Sequence, residues 1–358
     1  MIGVAAVHDD VARAWLREGR VVAEALLVAV DGSSPLTAGA TMLVDADGAI
    51  EGSVSGGCVE SAVAQEAMTL LASPDRRPRL RRYGISDDLA GEAGLTCGGT
   101  VEVLIHALDD PAPTLAFLDA PVAALATVVD GPDAGARVAA LPDGTLAGAE
   151  LHPNMVRDLR GAARTGMRRY GAGGETLGTA TRVFVAVRAP RPRLLVVGAT
   201  DFSAALAPLA RAVGWDVTIC DARPAFARAD RFARAADVEV SPPGPFVAAA
   251  RLGERDALLV FSHDPKHDEP ALLAALASDA GFVGALGSRR TDADRRARLL
   301  AAGATPAQLA RLHSPCGLDI GARTPDETAL SVLAEIIAAR NGRPGSPLRE
   351  TTDPIHPR

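Results

Sequence analysis

The sequence feature that most constrains the fold is a regular alternation of short apolar runs and helical segments after residue 190. Apolar runs typical of buried strands occur at residues 193–197, 216–220, 257–261 and 281–286. Helical spacing occurs between or after them, at residues 202–213, 270–277, 291–302 and 326–339. Because this alternation favours right-handed βαβ units, residues 191–345 are predicted to form a Rossmann-like, doubly wound parallel sheet.

The first 190 residues have a different pattern, in which tight turns join successive strands. A helix is predicted over residues 59–71, and strands at 25–30, 40–44, 49–54 and 100–105. Later strand candidates are interpreted as completing the same sheet: 122–129, 136–141 and 182–187. No internal repeat is evident. The predicted fold class is α/β, with an N-terminal mixed α/β domain (1–190), the Rossmann-like domain (191–345) and a disordered tail (346–358).

Composition excludes several classes of function. The net charge of -7 and the aromatic content of 3% argue against a nucleic-acid-binding surface, which needs basic and stacking side chains. The N-terminus lacks the pattern of a signal peptide, and the apolar run at residues 21–30 is too short to cross a membrane. A cytoplasmic protein is therefore expected, with thiols rather than disulfides at its four cysteines: Cys58, Cys97, Cys220 and Cys316.

The segment from Gly52 to Glu60, GSVSGGCVE, is the most informative about function. A strand is predicted to enter this glycine-rich turn and a helix to leave it, so free backbone N–H groups would point to one place and suit phosphate or molybdate oxygens. This field would lower the pKa of the Cys58 thiol and favour thiolate, which binds soft metals. Glu60 would either bond a ligand or complement the helix dipole. The alternative is a structural turn whose cysteine packs as a small hydrophobe.

A second motif repeats this chemistry. The sequence GLTCGGT places Cys97 beside Gly98 and Gly99 at the start of a predicted strand. Two such turns in one domain predict a shared cleft where the backbone approaches a ligand closely. Coincidence in a glycine-rich chain is the alternative.

These motifs resemble those of the XdhC/CoxI family of molybdoenzyme maturation factors. The matching stretches are GSSPLTAGATMLV, GSVSGGCVE and LTCGGTVEVLI, followed in the second domain by VGALGSRRT and HSPCGLDIGARTPDETALSVLAEI. The resemblance therefore spans most of the chain. One departure is Leu36, where the family pattern GSSPR has arginine.

The resemblance implies an accessory protein without its own turnover. Such a protein binds molybdenum cofactor (molybdopterin), protects it and delivers it to an apo-enzyme of the xanthine dehydrogenase or CO dehydrogenase type. It implies Cys58 as the contact to the cofactor and its molybdenum, and the neighbouring candidates are Ser55, Gly56, Gly57, Glu60, Cys97 and Gly98. A cysteine desulfurase and a second copy of the chain are further expected partners.

The Rossmann-like half carries a broken dinucleotide fingerprint. Gly198 fits the G-x-G-x-x-G pattern, but Thr200 and Ser203 replace its other glycines. Asp221 stands at the usual distance for an acid that binds a ribose hydroxyl. Gly198 and Asp221 are thus candidate contacts to NAD(P), and the alternative function is an NAD(P)-dependent oxidoreductase.

A candidate anion site opens the helix after residues 281–286. Arg289 and Arg290 would offer guanidinium groups beside the helix N-terminus, suited to the phosphate end of the cofactor, although an ordinary capped helix start has the same sequence. His263 and His267 follow an earlier strand and give a weak metal signal, with a solvated loop as the alternative. A third function, a thiol redox enzyme using Cys58 and Cys97, lacks a C-x-x-C motif.

Overall fold

The computed structural model describes residues 5–84, 99–232 and 236–352. These residues divide into two compact units, formed by residues 5–190 and residues 191–352. Among the described helices, none combines the length and apolar character needed to cross a bilayer.

The first half of unit 5–190 is a five-stranded antiparallel sheet with the strand order β3-β2-β1-β5-β4. Its elements are α1 (Ala5–Arg17), β1 (Val22–Asp31), β2 (Thr41–Asp45), β3 (Ile50–Gly52), α2 (Glu60–Ala72), β4 (Arg79–Tyr83) and β5 (Thr100–Ala107). Helix α2 has apolar residues at helical spacing, including Val63, Ala67 and Leu70, and buries them against one face of this sheet. The predicted hairpin of β2 and β3 is confirmed.

The second half contains its own sheet, with the order β8-β7-β6-β10-β9. Its elements are α3 (Ala112–Asp119), β6 (Ala123–Val128), β7 (Arg137–Ala140), β8 (Leu146–Gly148), α4 (Pro153–Arg160), β9 (Gly166–Tyr170) and β10 (Thr181–Arg188). The prediction that these strands complete the first sheet is therefore wrong. Strand β1 is buried on both faces, and Leu26 and Val28 pack against Phe184 of β10. A second sheet supplies the layer that this two-sided burial requires.

Although the sequence shows no evident repeat, the two halves repeat one topology, a helix, three strands, a helix and two strands. The repeat also extends to glycine positions. Gly52 and Gly148 each end the third strand with a positive φ, of 85° and 116°. A Cβ atom on either would collide with a backbone carbonyl oxygen, that of Thr41 or of Arg137, so only glycine fits. Three other glycine pairs have matching positions and positive φ: Gly32 and Gly131, Gly39 and Gly135, Gly48 and Gly144.

A buried charged cluster connects the halves. The Glu24 carboxylate in β1 lies 3.1 Å from Nε2 of His106 in β5 and 3.3 Å from the Arg137 guanidinium in β7. Arg137 also donates to the hydroxyl of Thr114 in α3, at 2.9 Å. All four side chains are buried, so the carboxylate is the counter-charge that makes burial of the arginine tolerable.

Unit 191–352 is a six-stranded parallel sheet, which confirms the Rossmann-like prediction. Its elements are β11 (Arg193–Val197), α5 (Asp201–Ala212), β12 (Asp216–Cys220), α6 (Ala229–Phe232), β13 (Asp237–Glu239), α7 (Pro243–Ala250), β14 (Ala257–Val260), α8 (Pro265–Leu276), β15 (Phe282–Ala285), α9 (Arg289–Ala301), α10 (Pro306–Ala310), β16 (Leu312–His313) and α11 (Pro325–Arg340). The strand order is β13-β12-β11-β14-β15-β16, so the chain builds the sheet outwards from β11 to one side and then from β14 to the other. The crevice between β11 and β14 is the switch point at which sheets of this kind bind ligands.

Both faces of this parallel sheet are covered. Leu194 and Val196 of β11 point into one apolar cluster, and Leu195 and Val197 into another. The last helix, α11, begins with a capping box made by Thr324 and Glu327. The stretch predicted to be a disordered tail contains one turn of 3-10 helix, Leu348–Glu350, and its residues after 352 lie outside the described part of the chain.

We expect Glu24→Gln to lower the free energy of unfolding by about 3 kcal/mol, because Arg137 would remain buried without a counter-charge. Burial raises the pKa of Glu24, but the Arg137 charge and the His106 hydrogen bond outweigh it and lower the pKa to about 2. The carboxylate therefore stabilises the fold at pH values above its ordinary pKa of 4.5, and this stabilisation is lost as the pH falls towards 2.

Urea denaturation at pH 7, and at intervals from pH 5 to pH 2.5, measures both effects. The matched control is Glu18→Gln, which removes an exposed ion pair with Arg20 and should change stability by less than about 1 kcal/mol. A Glu24→Gln variant as stable as the wild type would show that the cluster does not hold the halves together.

Candidate functional site

The GSVSGGCVE turn lies in a group of loops at one end of the first sheet. β3 ends at Gly52 and α2 begins at Glu60, so residues 53–59 form the turn. A Cβ atom on Gly56 would lie 3.4 Å from the Pro35 side chain, and one on Gly99 would collide with the backbone of Ser33. The loop between β1 and β2 therefore contacts both this turn and the end of the second glycine motif.

The carboxylate of Glu60 folds back into the turn that precedes it. It accepts hydrogen bonds of 2.5 to 3.2 Å from the N–H groups of Val54, Ser55, Gly56, Gly57 and Val59 and from the hydroxyls of Ser53 and Ser55. Partial burial raises the pKa of Glu60, but the hydrogen bonds from Ser53 and Ser55 outweigh it and lower the pKa to about 2. The N–H groups predicted to be free for an oxyanion are thus occupied by a carboxylate of the chain itself.

This arrangement divides the predicted residues into an inner and an outer set. Ser55 is buried, and its hydroxyl accepts hydrogen bonds from the N–H groups of Cys58 (3.0 Å) and Val59 (3.1 Å). Gly56 and Gly57 are exposed, and Cys58 is a half-buried free cysteine beside the apolar cluster under α2. Ser55 and Glu60 therefore hold the turn, whereas the two glycines and the thiol form its accessible side.

Tyr83 is a residue that the sequence did not single out. It ends β4 and packs against the same apolar cluster as Cys58. Its hydroxyl is buried and has no hydrogen-bond partner among the described residues, and burial raises its pKa. A donor without a partner at the end of a strand suits a ligand or an ordered water, but no sequence pattern distinguishes it from a packing tyrosine.

The second cysteine motif is only partly placed. Cys97 and Gly98 lie outside the described residues, and Gly99 is the first residue of the motif that the structure describes. Within the described ranges, no group of three or more histidine, cysteine, aspartate or glutamate side chains could hold a metal ion. The weak metal signal of His263 and His267 has no further ligand there.

The dinucleotide candidates in the other unit, Gly198 and Asp221, already have hydrogen-bond partners within the chain. The Asp221 carboxylate accepts the N–H of Ala199 at 2.9 Å and the guanidinium of Arg223 at 2.8 Å. Burial raises the pKa of Asp221, but these hydrogen bonds outweigh it and lower the pKa. Gly198 leaves no room for a Cβ atom, which would lie 2.7 Å from the N atom of Ser262. The acid expected to bind ribose thus already has partners, which disfavours NAD(P).

Arg289 and Arg290 begin α9 and are exposed. Ser288 caps this helix by accepting the N–H of Thr291 at 3.1 Å. Neither arginine forms an ion pair within the described part of the chain. A pocket of about 490 Å³ lies beside the helix start and is lined by Phe202, His263, Leu286, Gly287, Ser288, Thr291 and Thr328.

Two family profiles match the chain. The profile described as the XdhC and CoxI family matches residues 15–84, and the XdhC Rossmann domain matches residues 194–336. The first match contains the Cys58 turn, and the second contains the parallel sheet and its pocket.

Curated relatives agree with these profiles. The chain is 34% identical over 160 residues to a Bacillus subtilis protein named as a probable xanthine dehydrogenase subunit, and the match covers 45% of this chain and 46% of that protein. It is 32% identical over 203 residues to YqeB of Escherichia coli, 53% of this chain and 35% of that protein. The chain thus spans about half of the length of the Bacillus subtilis protein and about a third of the length of YqeB. It is 28% identical over 325 residues to the molybdenum cofactor insertion chaperone PaoD of Escherichia coli, 91% of this chain and 85% of that protein.

A solved structure shares the fold. A crystal structure described as that of a xanthine dehydrogenase from Bacillus halodurans is 24% identical to this chain, with a TM-score of 0.72. The similarity covers 96% of this chain and 98% of the other.

We expect Glu60→Gln to loosen the turn without unfolding the unit. Loss of the charged acceptor should cost roughly 1 kcal/mol, since the carboxylate is partly exposed to water. Amide hydrogen exchange at Ser55, Gly56 and Gly57 should accelerate, because their hydrogen-bond acceptor is weakened. In the wild type, the same protection should disappear as the pH falls from 4.5 towards 2, where the Glu60 carboxylate becomes protonated.

The control variant is Glu66→Gln on the same helix, which removes partly exposed ion pairs with Arg79 and Arg81. It should leave exchange in the turn unchanged. Equal exchange in wild type and Glu60→Gln would mean that the carboxylate does not fix the turn.

Proposed function

The chain belongs to the XdhC and CoxI family, and on that premise we propose that it binds, protects and delivers molybdenum cofactor to a molybdoenzyme of the xanthine dehydrogenase or CO dehydrogenase type. The observation that carries this proposal is the likeness to a molybdenum cofactor insertion chaperone over 91% of the chain. In this function the cofactor is cargo, and the protein needs no catalytic turnover. The apo-enzyme is the partner that receives it.

The proposed contact to the cargo is the accessible side of the Cys58 turn. A thiolate is a good ligand for a soft metal centre, and Cys58 is half-buried, so a ligand can reach its sulfur. Gly56 and Gly57 carry no side chains that would keep a large ligand away from the backbone. The buried Tyr83 hydroxyl offers a further donor near the same loops.

Glu60 and Ser55 have a positioning role in this proposal. Their oxygen atoms accept hydrogen bonds from the N–H groups of the turn, so the conformation that presents Cys58 is already formed in the absence of the cofactor. A preformed site loses less conformational entropy on binding than one that must be ordered by its ligand. This role differs from the direct ligand contact that the resemblance implies for both residues.

The remaining expectations stay predictions. They are the cytoplasmic location, a cysteine desulfurase as a second partner, a homodimer, and the contacts of Cys97, Gly98, Arg289 and Arg290 to the cofactor. The alternative of an NAD(P)-dependent oxidoreductase has less support, because the Asp221 carboxylate is bonded to Ala199 and Arg223.

Anaerobic co-purification tests the carrier. Wild-type protein from a host that makes the cofactor should retain molybdenum and pterin, measured by elemental analysis and by fluorescence of the oxidised pterin. Cys58→Ala should reduce retention by at least about tenfold, because the thiolate ligand is lost. Cys220→Ala removes a buried thiol from the other unit and should retain the cofactor. Equal retention in Cys58→Ala would remove the thiol from the site, and no cofactor in the wild type would refute the carrier.

A glycine pair from the two halves tests the turn itself. Gly57 and Gly144 have positive φ values of 118° and 89°, and a Cβ atom on either would meet open space. Alanine at either position should therefore cost roughly 1–3 kcal/mol through backbone strain alone. Only Gly57→Ala should also reduce molybdenum retention, since only Gly57 adjoins Cys58. Loss of retention in Gly144→Ala as well would attribute the effect to stability rather than to the site.

A further inference from the structure

The pocket of unit 191–352 lies where a ligand is expected in this fold. It is formed at the carboxyl ends of β14 and β15, next to the point where the strand order reverses. Its volume of about 490 Å³ is within the range of small-molecule sites. Phe202 and Leu286 give it an apolar wall, and the hydroxyls of Ser288, Thr291 and Thr328 give it a polar one.

The polar wall contains backbone donors that the chain leaves open. The N–H groups of Gly287, Ser288, Arg289 and Arg290 have no hydrogen-bond partner within the part of the chain that the structure describes. They follow one another into α9, a helix of 13 residues, so they converge at its positive end. The comparable N–H groups before α2 donate hydrogen bonds to the Glu60 carboxylate, and the Ala199 N–H before α5 donates to the Asp221 carboxylate. The donors beside the pocket have no such internal acceptor.

Buried and exposed cations surround these donors. Arg295 is 3% exposed and forms no ion pair among the described residues. Its guanidinium donates to the Leu286 carbonyl at 2.9 Å and to the Ser314 hydroxyl at 2.8 Å, which places it behind the pocket wall. Arg289 and Arg290 are exposed and lie in the chain between Ser288 and Thr291, which line the pocket.

The neighbouring acids are already engaged. Asp292 pairs with Arg296 at 2.9 Å, and Asp264 caps α8 by accepting the Lys266 N–H at 3.1 Å. The buried Asp268 accepts a hydrogen bond from Ser262. Arg295 interacts electrostatically with Asp268 and Asp292, so the open N–H donors and the exposed Arg289 and Arg290 are the groups that favour an anion.

We propose that this pocket binds a nucleoside monophosphate, with its phosphate on the N–H groups of residues 287–290 and its base against Phe202. A phosphate monoester matches several converging N–H donors, and an aromatic side chain offers a face or edge to a planar base. A dinucleotide fits less well, because its second half would need the Asp221 carboxylate that Ala199 and Arg223 already occupy. This proposal concerns unit 191–352 alone and does not rest on the proposed carrier function.

Isothermal titration of the full chain with AMP tests the proposal. The decisive variant is Thr291→Glu, at the third position of α9, where a carboxylate can fold back on the open N–H groups. Glu327 does this at the start of α11, where it accepts the Thr324 N–H at 3.1 Å. The variant should keep or raise thermal stability through a capping box and should weaken AMP binding by at least about tenfold. The matched control, Ala293→Glu, adds the same charge to the same helix at an exposed position outside the pocket lining, where it cannot form the capping box, and should bind AMP within about threefold of the wild type.

Each outcome decides the proposal. Saturable AMP binding that is tighter than binding of inorganic phosphate, and that is lost in Thr291→Glu, supports it. Absence of AMP binding to wild type, equal binding to Thr291→Glu, or tighter binding of NADH than of AMP overturns it. If the start of α9 holds a nucleotide instead of the phosphate end of the molybdenum cofactor, molybdenum retention is unchanged in Thr291→Glu, so failure of this site and failure of the carrier are separate results.

Discussion

The constraint on which this structure depends is that backbone N–H groups at a glycine-rich turn before a helix need an acceptor. The chain meets this need in two ways. Before α2, the Glu60 carboxylate takes up five N–H groups of the turn, and before α5, Asp221 takes up the N–H of Ala199. Before α9, the N–H groups of residues 287–290 have no acceptor among the described residues, and Gly287 and Ser288 line a pocket. Three glycine-containing turns before helices therefore differ in chemistry: two are satisfied within the chain, and the third keeps open donors.

Much of the fold could be predicted from local pattern, and the rest depended on tertiary pairing. The parallel sheet follows from alternating strands and helices, because each apolar run there is buried on both faces. The second antiparallel sheet does not follow, since nothing local shows which strand pairs with which. β4, with the sequence RLRRY, carries three arginines and lacks an apolar face, so it gave no strand signal. The repeat of the two halves could not be recognised in the sequence, because the halves share glycine positions and not a common pattern of apolar runs.

The candidate site could be located but not oriented from sequence. The pattern placed Cys58 in a turn and predicted a helix over residues 59–71, and the helix is found at Glu60–Ala72. It could not show that Glu60 points back into the turn, because this depends on φ values above zero at Gly56 and Gly57. Tyr83 was missed for a related reason: its unpaired hydroxyl is a property of packing.

The repeated topology of unit 5–190 has a consequence for the length of the Cys58 turn. Both halves end their third strand at a glycine of the same conformation, yet only the first continues into GSVSGGCVE, while the second continues into the short connection Ala149–His152. The second half makes the same strand-to-helix connection in residues 149–152, so the Cys58 turn, residues 53–59, is longer than the topology requires. Its extra length serves the presentation of the thiol rather than the connection of the two elements.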